Sequence, residues 1–252
     1  MSKIALITGA TSGIGEACAH VFAREGYNLI LTGRRLERLE KLAKKLNDKY
    51  NTGIATCEFD VQDKEAVAAN LENLPAAWKK IDVLINNAGL SQGLDPIQNG
   101  QISDWETMID TNVKGLLYVT KIVSNWMITN GHGHIINMGS IAGKEIYANG
   151  NVYCASKAAV DFLNKGMRID LLPYGIRVTA IHPGAVETEF AEVRFHGDKD
   201  RAKKVYEGIK PLVADDVAET IWFAASRPAH VNINEIVMVP TAQANATTFF
   251  RK

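Results

Sequence analysis

The sequence predicts one α/β domain over residues 1–252, built on a doubly wound, seven-stranded parallel sheet flanked by helices. Three observations lead there. Short runs rich in Val, Ile and Leu alternate with longer stretches of helical periodicity along the whole chain. The apolar runs lack polar alternation, as expected of strands buried on both faces. No Pro-, Gly- or Ser-rich linker interrupts the alternation, and no internal repeat is visible. Strands and helices in this order make a parallel sheet with right-handed crossovers.

The elements follow in chain order. The first strand, 3–8, runs into the turn Thr8-Gly9-Ala10-Thr11-Ser12-Gly13-Ile14-Gly15. This turn opens an amphipathic helix with Ile14, Ala17, Cys18, Val21 and Phe22 on one face. The second strand, 28–32, precedes a helix whose stripe is Leu36, Leu39, Leu42 and Leu46, with Glu and Lys opposite. The third strand spans 54–60, and the fourth, 81–86, ends in Asn86-Asn87-Ala88-Gly89. Helix 104–129 leads to strand 134–138, helix 153–172 to strand 176–181, and helix 215–226 to strand 235–239.

Composition excludes several classes. Lys and Arg total 28 and Asp and Glu total 28, with no basic run, so a nucleic-acid partner is not expected. No apolar run approaches membrane-spanning length, and the first residues lack a secretory pattern, so a cytoplasmic protein without a membrane partner is expected. Cys18, Cys57 and Cys154 lie far apart without metal-ligand spacing. They read as reduced thiols that pack in the core, and no metal is expected.

The chemistry concentrates in a few residues. Tyr153 and Lys157 lie four apart, which on a helix places both on one face. An ammonium near a phenol favours the phenolate, so the pair can move a proton to or from an alcohol oxygen near neutral pH. Tyr-x-x-x-Lys alone would equally describe an ordinary helix with an exposed Lys. Ser140 follows the strand-like Ile135-Ile136-Asn137-Met138 and can hydrogen-bond the same oxygen. The glycine turn offers a close backbone approach and a helix N-terminus to a pyrophosphate. Its spacing is Gly-x-x-x-Gly-x-Gly rather than Gly-x-Gly-x-x-Gly. The second strand ends Leu31-Thr32-Gly33-Arg34-Arg35, without the carboxylate that holds a ribose 2′-hydroxyl in NAD sites. Two guanidiniums suit a 2′-phosphate, hence NADP. Two solvated arginines opening a helix are the alternative.

Together these motifs, with Asn86-Asn87-Ala88-Gly89, Asn112 in Asp110-Thr111-Asn112-Val113, and Pro183-Gly184 after a strand, resemble the short-chain dehydrogenase/reductase family from about residue 3 to the C-terminus. The resemblance implies a Rossmann fold and an NADP-dependent alcohol/carbonyl oxidoreductase. It carries Asn112, Ser140, Tyr153 and Lys157 over as the catalytic four. It assigns cofactor contacts to Gly9, Thr11, Ser12, Gly13, Ile14, Gly15, Arg34, Arg35, Asp60, Val61, Asn87, Ala88, Gly89, Tyr153, Lys157, Pro183, Gly184, Val186 and Thr188. Asp60 resembles the family's adenine-contacting Asp; a structural carboxylate is the alternative. Lys157 would lower the Tyr153 pKa and hold the nicotinamide ribose. Asn112 would support Lys157 through water, from a break in its helix.

Residues 187–211 correspond to the family's substrate lid and read as strongly charged, which disfavours fatty-acyl or steroid substrates. Val186-Glu187-Thr188-Glu189-Phe190, Val193-Arg194-Phe195, Ala214-Asp215-Asp216-Val217-Ala218 and the tail Phe249-Phe250-Arg251-Lys252 resemble the NADP-dependent 3-hydroxy acid dehydrogenase subgroup. That likeness implies L-serine, L-allo-threonine or the 3-hydroxypropionate/malonic semialdehyde pair as substrate. Ser140 and Tyr153 would hold the hydroxyl and Arg194 the carboxylate; a solvated lid arginine is the alternative. His182, His196 and Lys144 read as loop or rim residues. Two other readings share the fold: a broad carbonyl reductase, and a non-catalytic dinucleotide-binding regulator. The family pairs subunits, so a homotetramer is expected, with the tail 241–252 docked on a neighbouring subunit.

Overall fold

The computed structural model describes residues 2–252. Its strands and helices are β1 (Ile4–Thr8), α1 (Gly13–Arg24), β2 (Asn28–Gly33), α2 (Leu36–Tyr50), β3 (Ile54–Glu58), α3 (Lys64–Glu72), β4 (Val83–Asn86), α4 (Ile102–Ile109), α5 (Leu116–Asn130), β5 (His134–Met138), α6 (Asn151–Asp170), β6 (Arg177–Pro183), β7 (Val186–Glu187), α7 (Phe190–Arg194), α8 (Lys199–Tyr206), β8 (Leu212–Val213), α9 (Ala214–Ala225) and β9 (Glu235–Met238). The seven expected strands all form, and they pair in parallel in the order β3-β2-β1-β4-β5-β6-β9. This is the doubly wound Rossmann arrangement. The chain winds outward from β1 to β3, then crosses to β4 on the other side of β1. Ligands bind at such a reversal, outside the carboxyl ends of the strands.

Both faces of the sheet are covered over β1, β2, β4, β5 and β6, which is why these strands need no polar side, while the edge strands β3 and β9 are only partly buried. Ala5 and Ile7 of β1 pack with Phe22, Leu39, Leu46 and Ile221 from α1, α2 and α9. Ile4 and Leu6, pointing the other way, pack with Val67, Val119, Val123 and Val160 from α3, α5 and α6. Leu29, Ile30 and Leu31 of β2 are fully buried. Burial of each such side chain contributes about 1.5–3 kcal/mol relative to leaving it in water.

Three features add to the expected pattern. The helical stretch expected over 104–129 is broken at Asn112, as the family resemblance implied: a π-helical turn, Asp110–Gly115, separates α4 from α5. A second, two-stranded sheet joins β7 to β8 and encloses the lid helices α7 and α8 between its strands. The tail packs on its own chain: Gln243 pairs with Phe249, the Phe250 amide donates to the Ala242 carbonyl, and Arg251 donates to the Glu207 and Val205 carbonyls. Phe250 itself stays 69% exposed. Among the described residues no helix is long and apolar enough to cross a membrane. All three cysteines are free and buried, as their apolar surroundings suggested.

Candidate active site

The carboxyl ends of β1, β4, β5 and β6 open into one cavity of about 630 Å³. The glycine turn forms its floor at the switch point. Gly9 has φ +67° and Gly13 φ +54°, conformations that favour glycine. A Cβ on Gly15 would lie 2.3 Å from the Gly9 carbonyl oxygen and 2.6 Å from Asn87 Nδ2. The turn therefore closes only because position 15 has no side chain. Asn87 braces it by donating from Nδ2 to the Thr8 and Gly9 carbonyls at 2.9 and 3.2 Å. Thr8 Oγ1 accepts from the Asn87 and Ala88 amides at 3.0 and 2.9 Å, locking the end of β1 to that of β4. Asn86, one residue earlier, faces the other way and donates to Thr120 and Asn137 inside the protein.

At one end of the cavity Arg35 lies against the turn. Its Nη2 donates to Thr11 Oγ1 at 2.9 Å and Ser12 Oγ at 3.0 Å, and its Nη1 to Glu189 Oε2 at 3.2 Å. Arg34 pairs with Asp60 at 3.4 Å, and Asp60 also accepts from the Gln62 amide. Asp60 thus has structural partners as well as a place on the cavity wall.

At the other end stand Ser140, Tyr153 and Lys157. Tyr153 and Lys157 are buried on α6, and Ser140 follows β5 and caps a short 3-10 turn by accepting from the Ala142 amide at 3.1 Å. Lys157 Nζ donates to the Met138 carbonyl at 2.9 Å. Burial pushes the Lys157 pKa down to about 8, which still leaves an ammonium at neutral pH. Burial pushes the Tyr153 phenol up; the groups that pull it down are Arg194 and the Ser140 hydroxyl. The sequence points to Lys157 for that pull, but the cation acting on the ring is Arg194, from the lid. Only packing of α7 over α6 brings them together, so no sequence spacing could announce it.

Arg194 is the lid residue most engaged with the cavity. Its guanidinium lies 5.1 Å from the Tyr153 ring centre and 5.2 Å from that of Phe190. Its Nε donates to Ser91 Oγ at 3.0 Å and its Nη2 to Tyr147 Oη at 2.6 Å. Both partners are neutral hydroxyls, and among the described residues no carboxylate pairs with it. The rest of the lid's inner face is less charged than expected. Ala191, Phe195 and Ala202 form a small core with Leu94, Val205 and Tyr206, while Glu192, Asp198 and Asp200 face solvent. A five-residue helix is too short for its inward face to be read from periodicity.

Asn112 sits in the π-helical turn, 1% exposed and behind the cavity wall. Its amide donates to the Leu90 carbonyl and Ser156 Oγ and accepts from the Leu90 amide. It makes no direct bond to Lys157 among the described residues. A Cβ on Gly89 would lie 3.1 Å from Asn112 Oδ1 and 3.2 Å from Lys157 Nζ, so the glycine keeps the space between them clear.

His182 and Lys144 are not rim residues. His182 belongs to β6 and is fully buried, with Nδ1 3.3 Å from the Ser140 carbonyl and Nε2 3.5 Å from Asp161. Lys144 bridges Asp161 at 2.9 Å and Glu235 at 2.5 Å. The paired charges sit directly behind Ser140 and support its loop. His196 is exposed and does not line the cavity; its Nε2 lies 3.2 Å from Asp104. Of the other residues assigned to the site, all but Gly15 and Asn112 line the cavity. Sequence reading missed Ser91, Tyr147, Glu189 and Gln243. Gln243 Oε1 accepts from the Ala185 amide at 2.9 Å, and the tail thereby secures the Pro183-Gly184 loop.

The short chain dehydrogenase family pattern matches residues 3–199. NADP-dependent 3-hydroxy acid dehydrogenase YdfG of Salmonella typhi is 47% identical over 244 residues, covering 96% of this chain and 97% of the relative. Sulfoacetaldehyde reductase 2 of Chromohalobacter salexigens is 47% identical over 245 residues, covering 97% and 96%. The closed form of serine dehydrogenase complexed with NADP+ superposes with a TM-score of 0.92 at 46% identity, covering 99% of each chain. The chain belongs to the short-chain dehydrogenase/reductase family of oxidoreductases.

Proposed function

We propose that this chain is a cytoplasmic, NADP-dependent oxidoreductase acting at C3 of a small 3-hydroxy acid: L-serine, L-allo-threonine or the 3-hydroxypropionate/malonic semialdehyde pair. The observation that carries the substrate class is Arg194, a guanidinium beside the Tyr153 ring whose hydrogen-bond partners are neutral hydroxyls. A cation partly withdrawn from water without a counter-charge suits an anionic ligand.

The cavity suits the cofactor. Glycines 9, 13 and 15 allow the close backbone approach a pyrophosphate needs, and Arg35 stands beside Thr11 and Ser12 where a 2′-phosphate can meet a planar fork of donors. When bound, NADP supplies the hydride acceptor or donor. In oxidation, Ser140 and Tyr153 hold the substrate hydroxyl, and the Tyr153 phenolate takes its proton as the hydride leaves the same carbon. Lys157, still an ammonium at neutral pH, would hold the cofactor ribose. Arg194 holds the carboxylate two bonds from the reacting carbon, orients it, and favours the Tyr153 phenolate. Asn112 braces this wall by tying the residues after β4 to α6 through Leu90 and Ser156.

A second anion deserves the same test, because the sulfoacetaldehyde reductase relative is named for a sulfonate. In sulfoacetaldehyde the sulfonate stands where malonic semialdehyde carries its carboxylate. The α6 surface supports pairing of copies: Phe162 and Ile169 are 73% and 72% exposed, costly surface to leave in water. Phe223 of α9 and Val237 of β9 are also 49% and 51% exposed, which leaves further apolar surface for pairing in a homotetramer.

Arg194→Ala is the deciding experiment. Loss of the anchor should lower kcat/KM for hydroxy acids by about tenfold to a thousandfold while sparing neutral alcohols. An equal loss on both would reduce Arg194 to a lid-shaping residue. A wild-type preference for neutral alcohols would replace the hydroxy-acid reading with a broad carbonyl reductase.

A further inference from the structure

Glu189 occupies a position that sequence reading did not single out. It lies immediately before the lid helix α7, which ends five residues later at Arg194. Its two carboxylate oxygens go to different guanidiniums: Oε2 to Arg35 Nη1 at 3.2 Å and Oε1 to Arg38 Nη1 at 2.9 Å. Arg35 is also the residue bound to Thr11 and Ser12 of the glycine turn. A lid carboxylate therefore bridges the arginines beside the turn in the manner of a phosphate. Although partial burial alone would raise the Glu189 pKa, Arg38 and Arg35 more than offset this and hold it below the usual carboxylate range. The group is ionised throughout the neutral range.

We propose that Glu189 is a cofactor-specificity residue: a built-in counter-ion of Arg35 and Arg38 that a 2′-phosphate must displace, so that phosphate recognition is felt by the lid helix carrying Arg194. The inference rests on the assignment of Arg35 to the 2′-phosphate made above. Two anions cannot share the same donors without repulsion. NADP therefore binds against the pull of Glu189, whereas NAD, with no 2′-phosphate, leaves Glu189 in place. By reciprocity, whatever Glu189 subtracts from phosphate binding, the phosphate subtracts from the Glu189 tether. The tether is about half exposed at each partner, so its effect is modest and screened by salt.

The test uses two fragments that differ by one phosphate, adenosine 2′,5′-bisphosphate and 5′-AMP, titrated by calorimetry into the full-length wild-type protein and Glu189→Gln. Glu189→Gln should bind the bisphosphate about twofold to tenfold more tightly at low salt, with 5′-AMP unchanged and the gain shrinking in high salt. Hydrogen exchange over residues 187–211 supplies an independent readout. In wild type the bisphosphate should speed exchange there while 5′-AMP does not; Glu189→Gln should exchange fast without ligand. Unchanged or weaker bisphosphate binding by Glu189→Gln, or a lid indifferent to the bisphosphate, would overturn the proposal. If wild type binds the two fragments equally, the 2′-phosphate assignment at Arg35 falls first, and this inference with it.

Discussion

Lys157→Met should make the protein inactive and more stable. Lys157 is 6% exposed, and its pKa is pushed from 10.5 down to about 8 by burial. A shift of that size corresponds to roughly 3 kcal/mol of penalty for keeping the ammonium inside the folded protein. Met removes the charge with little change in volume, but it also removes the bond from Nζ to the Met138 carbonyl. Losing that bond costs about 1 kcal/mol. The net expectation at pH 7 is a gain of about 2 kcal/mol, or a rise in Tm of about 4–8 °C for a domain of this size. The gain depends on pH. Between about pH 8 and 10.5 the unfolded chain holds a proton on Lys157 that the folded chain has released, so wild-type stability climbs with pH across that window. Below it the penalty is present in full; above it the side chain is neutral in both states. Thermal unfolding of both proteins at pH 7 and pH 10.5 should show the advantage of Lys157→Met at pH 7 largely gone at pH 10.5. If the variant is less stable than wild type at pH 7, or its advantage does not change with pH, the buried ammonium is not the strained group inferred here.

Further outcomes follow from the same geometry. Tyr153→Phe keeps the ring packed against Phe190 but deletes the proton carrier; turnover should fall about 10²–10⁴-fold with cofactor binding retained, as measured by nucleotide fluorescence titration. In wild type, oxidation should rise with pH as Tyr153 ionises and reduction should fall, and a flat profile for the chemical step would contradict the phenolate base. Asp161 is 4% exposed and paired with Lys165 and Lys144, so Asp161→Ala should destabilise by about 3–5 kcal/mol and unsettle the Ser140 loop; urea unfolding would measure the loss. Although burial alone would raise its pKa, Lys165 and Lys144 hold the Asp161 carboxyl below 3.8, so the stability it contributes is complete above that pH and is lost as acid protonates it.

Much of this protein was legible in its sequence because the signals are local. The apolar strand runs, the glycine turn and the one-turn spacing of Tyr153 and Lys157 all depend on neighbours in the chain. The sheet follows from them, since buried parallel strands must be apolar on both sides. The cofactor end of the cavity follows too, because Gly9, Gly13 and Gly15 answer a backbone demand that no other residue meets. Tertiary packing decided the rest. Arg194 reaches Tyr153 across 41 positions of sequence because α7 folds over α6, and Ser91 and Tyr147 meet it from two other loops. Glu189 meets Arg35 and Arg38 from 154 and 151 positions away. His182 reads as a loop residue only until β6 carries it beneath Ser140, and the tail secures its own active-site loop through Gln243. Local patterning records which face of an element is buried. It does not record which charge on another element will lie against that face, because that depends on how two surfaces meet in three dimensions.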